Sequence, residues 1–393
     1  MITVDEILHL SLFHNFEILC GSAYISNDVI GAVILEYESS RINYDGYCYG
    51  EFVLLSYFMN KSAPELVDFT LRTIIEKHVS AIAIKKLPEE TISPEIIALA
   101  KENHVPILTF YDEFMEDLIV SINESLQTKA QYIIFEEKLN SLLTGYPSGE
   151  KVSQTALEIN PNFQPYVLCA SITNKENASN ISIHSYLDSL TFRRYRNKED
   201  YSFSFVKFGL GMILICTFQS EDIPKDTLSM HRKVMDVLIN SGINPEAYHI
   251  GICDEILPLN RLNVSAKKAR NTNWVAQYKK ENYLHYSELG IYKYIITLVN
   301  NPILYEDISR QIQLLIQYDE AHASNLLETL ICYVENNQDY TTTSTQLYQH
   351  TNTIRYRIKK ATQLLSLPED TAEEELVVLI RSFLMHQAIN LNK

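Results

Sequence analysis

The residues from Gln349 to Leu367 constrain the fold more than any other stretch of this 393-residue chain. They include no acidic residue, although the chain as a whole carries a formal net charge of -16. Apolar residues recur among them at i, i+4, i+7 and i+11, which is the spacing of one face of an α-helix. These apolar positions are Ile354, Ile358, Ala361 and Leu365. The stretch therefore predicts an amphipathic helix with one buried side and one basic side.

The side of this predicted helix that faces away from the apolar stripe carries residue types that recognise DNA. Asparagine pairs with adenine and arginine with guanine through two hydrogen bonds each, and lysine neutralises phosphate. A basic helix on an acidic protein also attracts the phosphate backbone to this one surface. We therefore predict that the following residues bind DNA: Thr351, Asn352, Thr353, Arg355, Tyr356, Lys359, Lys360 and Gln363.

Two side chains, and the helix as a whole, allow other interpretations. Arg357 falls on the flank of the helix, where we expect an ion pair within the protein or a phosphate contact instead of base recognition. Tyr356 is equally compatible with packing against a preceding helix. A basic amphipathic helix taken alone is also typical of a solvated surface, so the surrounding sequence decides between these interpretations.

The residues before the basic helix predict two further helices. Ser324 is positioned to cap the first, and the hydroxyl-rich run from Thr341 to Thr345 opens a second, shorter helix. Gln349 and His350 form the turn that follows, and Thr351 is positioned to cap the basic helix. Helix, short helix, tight turn and basic helix is the plan of a helix-turn-helix domain, whose last helix lies in the major groove. The buried side of the first helix is predicted to consist of Leu326, Leu327, Leu330, Ile331 and Val334.

Three pieces of this region form a longer motif. They are Leu326-Leu327-Glu328-Thr329-Leu330, then Leu347, then His350-x-Asn352-Thr353-x-x-Tyr356-Arg357. The motif closely resembles the C-terminal DNA-binding domain of the purine-catabolism regulator (PucR) family. The resemblance implies a transcriptional regulator of a catabolic operon that responds to a small metabolite.

The motif departs from the family pattern at two places. Thr351 stands where the family usually has arginine, and Thr343-Ser344 stand where it usually has paired alanines. The first departure removes an expected phosphate contact. The second places hydroxyl groups where close helix packing favours methyl groups. We expect both departures to affect DNA affinity or the target sequence.

Composition points to a protein with several hydrophobic cores. The length allows two or three domains, and 46% of the residues are hydrophobic. The N-terminus lacks the basic and apolar segments of a signal peptide, and no apolar run reaches the length of a membrane span. The six scattered cysteines are typical of buried thiols in a reducing compartment. We therefore expect a cytoplasmic protein that does not associate with membranes.

No motif in the sequence indicates catalysis. The eleven histidines show no metal-ligand spacing, and neither a phosphate-binding loop nor a nucleophile motif is present. The acidic run Glu373-Glu374-Glu375 is most simply a solvated helix face. The sequence therefore predicts no catalytic residue, no metal site and no cofactor, and hence a protein that is not an enzyme.

The first third of the chain alternates strand and helix patterns, which predicts an α/β domain with a largely parallel sheet over residues 1–112. It resembles the N-terminal domain of the PucR family through Thr3-Val4-x-Glu6-Ile7-Leu8 and Gly50-Glu51-x-Val53-Leu54. Small molecules bind beyond the carboxyl ends of strands in such sheets. The predicted strand ends that would surround an effector are Gly21-Ser22, Ser56-Tyr57, Lys85-Lys86 and Tyr111-Asp112. Strands are predicted at 16–20, 29–36, 52–57, 80–85 and 105–111, and helices at 64–77 and 94–103.

A long helix over residues 112–144 is predicted to connect this domain to the next, with the connecting segment taken as 113–145. Its apolar residues recur at steps of three and four, which favours pairing with a second copy in a homodimer. A plain surface helix is the alternative, because Thr128 to Gln131 interrupt the apolar stripe. The turn cluster from Gly145 to Gly149 marks a domain boundary.

The middle third, residues 146–300, shows the element order β-α-β-β-α-β of a ferredoxin-like fold. It resembles the PucR family's central domain, which is related to diguanylate-type (GGDEF) nucleotide cyclases. Those enzymes carry metal-binding acidic residues on a hairpin, whereas Phe208-Gly209-Leu210-Gly211-Met212 has none. We therefore expect an inactive domain that relays a signal or holds a dimer. Strands are predicted at 166–173, 201–208, 212–218 and 248–253, and helices at 181–195, 227–241, 257–278 and 283–299.

The sequence as a whole predicts a multidomain regulator of mixed α/β and α+β architecture with an all-α helix-turn-helix domain at residues 301–393. Pro368 is predicted to end the basic helix, and a last helix at 371–388 to pack on the same core. The expected partners are operator DNA, a second copy of the chain and a small-molecule effector. Two alternatives stay open: a protein-interaction module whose basic helix binds an acidic partner, and an enzyme with residual nucleotide-cyclase activity.

Overall fold

The computed structural model of the protein describes residues 1–35, 49–56, 64–85, 91–175 and 202–390. The chain divides into two compact units, Met1–Ile134 and Phe135–Lys393. Among the helices of the described ranges, none is both long enough and apolar enough to cross a membrane.

The first unit contains a five-stranded sheet in the order β2-β7-β6-β5-β4. Strands β4 to β7 are parallel to their neighbours, and β2 joins β7 in the antiparallel direction. Strands β1 and β3 form a separate antiparallel pair. The largely parallel α/β sheet is therefore confirmed. In chain order the strands are β1 (Ile2–Thr3), β2 (Glu17–Cys20), β3 (Asp28–Val29), β4 (Gly31–Leu35), β5 (Glu51–Ser56), β6 (Ala81–Lys85) and β7 (Ile107–Phe110).

Both faces of this sheet are buried, which explains the uninterrupted apolar runs of its central strands. Successive residues of a strand point to opposite faces, so Val53 and Leu55 join one core while Phe52 and Leu54 join the other. The helices of the unit are α1 (Val4–Leu8), α2 (Pro64–Glu76) and α3 (Pro94–Glu102). Helices α2 and α3 cover the first core, while α1 and the following long helix cover the second.

Helix α4 extends without interruption over Met115–Thr144. The predicted break in its apolar stripe at Thr128 to Gln131 does not interrupt the helix. Leu118 and Ile122 are fully buried in the core of the first unit, and Leu139 is fully buried in the second unit. The predicted start at 112 is three residues early, because residues 111–113 form a bend before the helix.

The second unit contains a sheet in the order β13-β11-β8-β10-β9, with β12 beside β8. The four strands β8 to β11 thus lie in the spatial order 4-1-3-2, all antiparallel, as the predicted ferredoxin-like plan requires. The predicted helix at 181–195 lies outside the described residues. The strands are β8 (Tyr166–Asn174), β9 (Phe203–Phe208), β10 (Gly211–Phe218), β11 (Tyr248–Ile252), β12 (Leu257–Pro258) and β13 (Tyr283–His285).

The helices around this sheet correct two predictions. They are α5 (Gly149–Ile159), α6 (Thr227–Asn240), α7 (Leu262–Lys279) and α8 (Tyr292–Val299). The predicted helix at 257–278 begins only at Leu262, because the preceding residues pair with β8 and then form a 3-10 turn. The predicted helix at 283–299 is wrong over its first half. Residues Tyr283–His285 form β13, which pairs in parallel with β11, and the non-helical backbone of Gly290, at φ 53, separates this segment from α8.

Five helices complete the second unit. They are α9 (Pro302–His322), α10 (Leu326–Glu335), α11 (Tyr340–Gln346), α12 (Thr351–Leu364) and α13 (Ala372–Asn390). All five contribute to one apolar core, so the predicted packing of the last helix on this core is confirmed. Helix α9 was not predicted. Helix α12 ends at Leu364, before the predicted stop at Pro368.

The last helix also belongs to a second core. Near its end, Met385 and Ile389 pack with Val275 of α7 and with Ile295 and Ile296 of α8. One continuous helix is therefore shared by the five-helix core and by the helices of the ferredoxin-like sheet.

Candidate nucleic-acid interface

Helix α12 has the two-sided character that its sequence predicts. Its apolar stripe is buried in the five-helix core, with Ile354 and Ala361 fully inaccessible to solvent. The side chains of Asn352, Arg355 and Tyr356 are exposed on the other side, as are those of Lys359 and Gln363. Thr351, Thr353 and Lys360 are half-buried at the edges of this surface. The structure thus places all the predicted DNA-binding residues on one helix of known orientation relative to its core.

The start of α12 differs from the prediction. His350, not Thr351, is the N-cap, because its backbone is extended at φ -71 and ψ 142 and its Nδ1 accepts a hydrogen bond from the backbone N–H of Asn352 at 3.2 Å. Thr351 is the first helical residue, and its hydroxyl donates to Ser344 Oγ at 3.3 Å.

The start of α10 also corrects the prediction. Ser324 does not cap this helix. Instead the carboxylate of Asp319, at the end of α9, accepts hydrogen bonds from the backbone N–H groups of Leu326 at 2.7 Å and Leu327 at 3.0 Å. The Ser324 hydroxyl donates to the same carboxylate at 2.5 Å. A negative charge at a helix N-terminus is favourable, which explains why the acid takes the capping position.

Helix α11 and the turn after it set the position of α12. Asp339 caps α11 by accepting from Thr342, and this hydrogen bond lowers the pKa of the Asp339 carboxyl. Tyr348 adopts a left-handed backbone at φ 52 and reverses the chain, while the Gln349 N–H donates to the Ser344 carbonyl at 2.9 Å. The Tyr348 side chain is 92% exposed, so it takes no part in holding the turn.

The hydroxyls that replace the family's paired alanines are satisfied inside α11. Thr343 is fully buried and donates to the Asp339 carbonyl at 2.7 Å, and Ser344 donates to the Thr341 carbonyl at 2.8 Å. Bonding to a carbonyl of the preceding turn removes the desolvation cost of a buried hydroxyl. Because the two side chains are small and their hydroxyls are hydrogen-bonded within α11, they allow α11 to pack on α12.

Three cations of α12 have partners within the domain. The Arg355 guanidinium lies over the Tyr340 ring, 5.1 Å from its centroid, and Lys360 Nζ lies 5.3 Å from the Tyr318 ring centroid. Arg357 donates to the Thr329 hydroxyl at 3.1 Å, an internal contact with a neutral group where an ion pair or a phosphate contact was predicted. The alternative that Tyr356 packs against the preceding helix does not hold, because its side chain is 66% exposed.

Tyr340 is a residue that sequence reasoning missed. Its hydroxyl donates to Glu373 Oε1 at 3.3 Å, and its ring lies 4.9 Å from that of Tyr333. Burial, together with Tyr340 and Glu373, raises the pKa of Tyr333. Tyr340 thus connects Arg355 on the exposed face with the first turn of α13. Its position next to Asp339, a residue type that favours N-caps, is the only local signal that could have drawn attention to it.

The hairpin of the ferredoxin-like domain carries no carboxylate of its own, but a distant one reaches it. Glu136 of α4 accepts a hydrogen bond from the Gly209 N–H at 2.8 Å and pairs with Lys207 Nζ at 2.9 Å. The turn needs Gly209, whose φ is 56, and it needs Gly211 because a Cβ there would collide with the Ile172 carbonyl oxygen. The Glu136 carboxylate is therefore neutralised by an ion pair and engaged by the turn, which leaves it poorly suited to hold Mg²⁺.

The strand ends proposed to surround an effector do not all meet. Ser56 pairs with Lys85, and Lys85 also neighbours Phe110, so these ends lie at one edge of the first unit's sheet. Gly21 follows β2, which is antiparallel, and therefore lies at the opposite edge beside Pro106. Grouping Gly21-Ser22 with the others was wrong for this reason. Tyr57 and Lys86 lie outside the described residues.

Comparison with known proteins identifies the C-terminal helices. Residues 326–380, which span α10 to α12 and the first half of α13, match the PucR C-terminal helix-turn-helix domain. The resemblance seen in the sequence is thereby confirmed for this domain.

Two curated relatives are transcriptional activators of Bacillus subtilis (strain 168). The proline-responsive transcriptional activator PutR is 32% identical over 126 residues, which are 31% of this chain and 31% of PutR. The DNA-binding transcriptional activator AdeR is 27% identical over 154 residues, which are 39% of this chain and 35% of AdeR. The matched segments thus span about a third of the length of each relative.

A solved structure is also similar. The regulator of polyketide synthase expression from Bifidobacterium adolescentis is 15% identical and aligns with 66% of this chain and 99% of its own chain. Its TM-score of 0.27 is too low to establish a shared fold.

Proposed function

We propose that this protein is a sequence-specific DNA-binding transcriptional regulator of catabolic genes, in which α12 enters the major groove of double-stranded DNA. The observation that carries the proposal is the exposed, acid-free face of α12 within a PucR-type helix-turn-helix domain. The names of the two relatives, both transcriptional activators, support the same function.

Asn352 and Arg355 are the residues we assign to base recognition. They lie in the first turns of α12, the part of a recognition helix that reaches base edges. Arg355 must leave the Tyr340 ring to do so. An exposed cation–π contact is worth about 0.5–1 kcal/mol. A bidentate pair with a base discriminates by about 1–3 kcal/mol, so the exchange is favourable on the correct sequence. Lys359 and Lys360 neutralise phosphates, and Thr351, Thr353, Tyr356 and Gln363 complete the contact surface.

A homodimer is the form in which we expect the protein to bind. Half of the side-chain surface of Val120 and of Ile134 is exposed on α4, at 53% and 48%. The two residues are separated by two heptads and so lie on one side of the helix, where a second copy can cover them. A two-fold dimer would bind half-sites about one helical turn of DNA apart.

A small metabolite is the effector that we expect, and the name of the proline-responsive relative supports this class of ligand. We assign the ferredoxin-like domain to relay or dimerisation and not to catalysis, because Glu136, whose carboxylate contacts the hairpin in the described part of the chain, is paired with Lys207. Turnover of GTP with Mg²⁺ by the purified protein would contradict this assignment. A protein-interaction module remains the alternative to DNA binding.

The experiment that tests the function is selection of duplexes from a random DNA pool by the full-length protein at moderate salt. An enriched motif with two-fold symmetry is expected, and Asn352→Ala should reduce the base preference at one position of each half-site. Asn240→Ala is the matched control, because Asn240 is an exposed residue at the end of α6 and not on the interface. Absence of any enrichment, with or without a metabolite extract, would contradict sequence-specific binding and favour a protein partner.

A further inference from the structure

Helix α7 presents a face on which two cations lie close together, and no acidic side chain of the described residues pairs with them. Lys267, Arg270, Asn271 and Trp274 are spaced at i, i+3, i+4 and i+7, which places them on one side of the helix. The opposite side is fully buried at Ala266, Ala269 and Ala276. Each residue of the four-residue face is itself half-buried. This α7 face is separate from α12 and from the β9–β10 hairpin.

Arg270 is the centre of the α7 face. Its guanidinium stacks on Trp274, with Cζ 4.5 Å from the ring centroid. In the described part of the chain its Nε is buried and has no hydrogen-bond partner, and no carboxylate lies within ion-pair distance. Burial lowers the pKa of Arg270. A buried guanidinium N–H without a hydrogen bond is costly, because the water that it loses is not replaced.

The neighbours of Arg270 repeat this pattern. Lys267 Nζ donates to the neutral Gly145 carbonyl at 3.2 Å and lies 5.6 Å from the Tyr146 ring centroid. Burial, and then the charge of Arg270, lower the pKa of Lys267. The buried side-chain oxygen of Asn271 also has no partner within the described residues. A half-turn of this amide would present its N–H₂ group in place of the oxygen.

We propose that the α7 face formed by Lys267, Arg270, Asn271 and Trp274 binds an oxyanion, namely the carboxylate or phosphate group of a small metabolite. The Trp274 ring occupies one flat side of the guanidinium, so an oxyanion would be bound in the guanidinium plane. Two parallel N–H groups match the two oxygens of a carboxylate or phosphate. A halide ion is a single atom and cannot accept both hydrogen bonds in this way. The oxyanion supplies the missing negative charge between Lys267 and Arg270. The proposal does not depend on DNA binding.

The fluorescence of Trp274 provides a direct test, because it is the only tryptophan in the chain. The full-length protein is titrated with sodium phosphate, and separately with sodium acetate, at an ionic strength held constant with sodium chloride. We expect a saturable change for at least one oxyanion: phosphate alone identifies a phosphate site, acetate alone a carboxylate site, and both a general oxyanion site. A linear response to both salts would overturn the proposal.

Two variants identify the groups that bind. Arg270→Gln should raise the dissociation constant for the oxyanion by about tenfold or more, as expected for loss of a charge-assisted hydrogen bond. Arg232→Gln on the exposed side of α6 is the matched control and should bind as the wild type does. Since Arg270→Gln also alters the environment of Trp274, phosphate-dependent stabilisation against thermal unfolding is measured in parallel and should be lost. If Arg270→Gln does not fold, Lys267→Gln serves as the variant, and wild-type affinity there would overturn the proposal.

Discussion

The helix-turn-helix domain and the ferredoxin-like domain share one compact unit, but they carry their functional groups in different ways. On α12 the groups lie on a single helix face, in consecutive turns. At the β9–β10 hairpin a carboxylate comes from Glu136, 73 positions away in the sequence from Gly209. Functional groups on one helix face can be predicted from local periodicity, whereas groups that come from distant elements can be recognised only in the folded structure.

The largest effect should come from the core that supports α12. Ile354 and Ile215 are both fully buried isoleucines, one in the five-helix core and one in strand β10. Truncation of either to alanine should lower the free energy of unfolding by about 2–5 kcal/mol. Urea denaturation followed by circular dichroism measures this loss for each variant.

The two variants should differ in DNA affinity. With Ile354→Ala, binding per folded molecule should fall, because the buried stripe of α12 fixes its exposed face. With Ile215→Ala, the folded fraction should bind normally. Equal DNA affinity in the two folded variants would show that the orientation of α12 does not depend on Ile354.

A smaller effect is expected from Arg355→Lys, which keeps the charge but removes the guanidinium fork. Discrimination between the operator and random DNA should fall by about 1–3 kcal/mol, while affinity for random DNA changes little. Competition binding with the two duplexes measures this ratio. Lys359→Ala is the contrasting variant: it should weaken both duplexes alike and reduce the salt slope by about 1. If Arg355→Lys weakened both duplexes equally, Arg355 would be a phosphate contact and not a base reader.

The sequence predicted whole elements better than their ends. The amphipathic stripe of α12 and the order of the strands β8 to β11 along the chain followed from periodicity, because burial of one face requires regular spacing. The helix caps at Asp319 and His350 did not follow, because several polar residues near each helix start can accept the same N–H groups. Strand β13 was misread because Tyr283–His285 is stabilised by parallel pairing with β11, a contact that no local pattern encodes.

The candidate sites divide in the same way. All of the predicted DNA-binding residues lie on the one helix, since their spacing alone determines their side of it. Tyr340 under Arg355 and Glu136 under the hairpin were missed, because each belongs to a different element from the residue that it contacts. The missing hydrogen-bond partner of the Arg270 Nε, among the described residues, was equally hidden, since it depends on which side chains do not reach α7.

The smallest effect should come from two exposed helix caps, one in each domain. Asp339 caps α11 and Asp226 caps α6, and hydrogen bonds to Thr342 and Ser229 lower the pKa of each carboxyl. A lowered pKa in the folded state stabilises the protein above the unfolded pKa of about 4 and loses this contribution as the pH falls through the folded value. Asn accepts the same hydrogen bond but does not titrate in this range. The stability advantage of the wild type over Asp339→Asn and over Asp226→Asn should therefore be present at neutral pH and vanish in strong acid, as denaturation midpoints would show.

An advantage that is unchanged in acid would mean that the charge does not contribute and that cap geometry alone matters. If only Asp339→Asn also altered DNA affinity, the start of α11 would be linked to the position of α12, whereas the equivalent cap on α6 would serve stability alone.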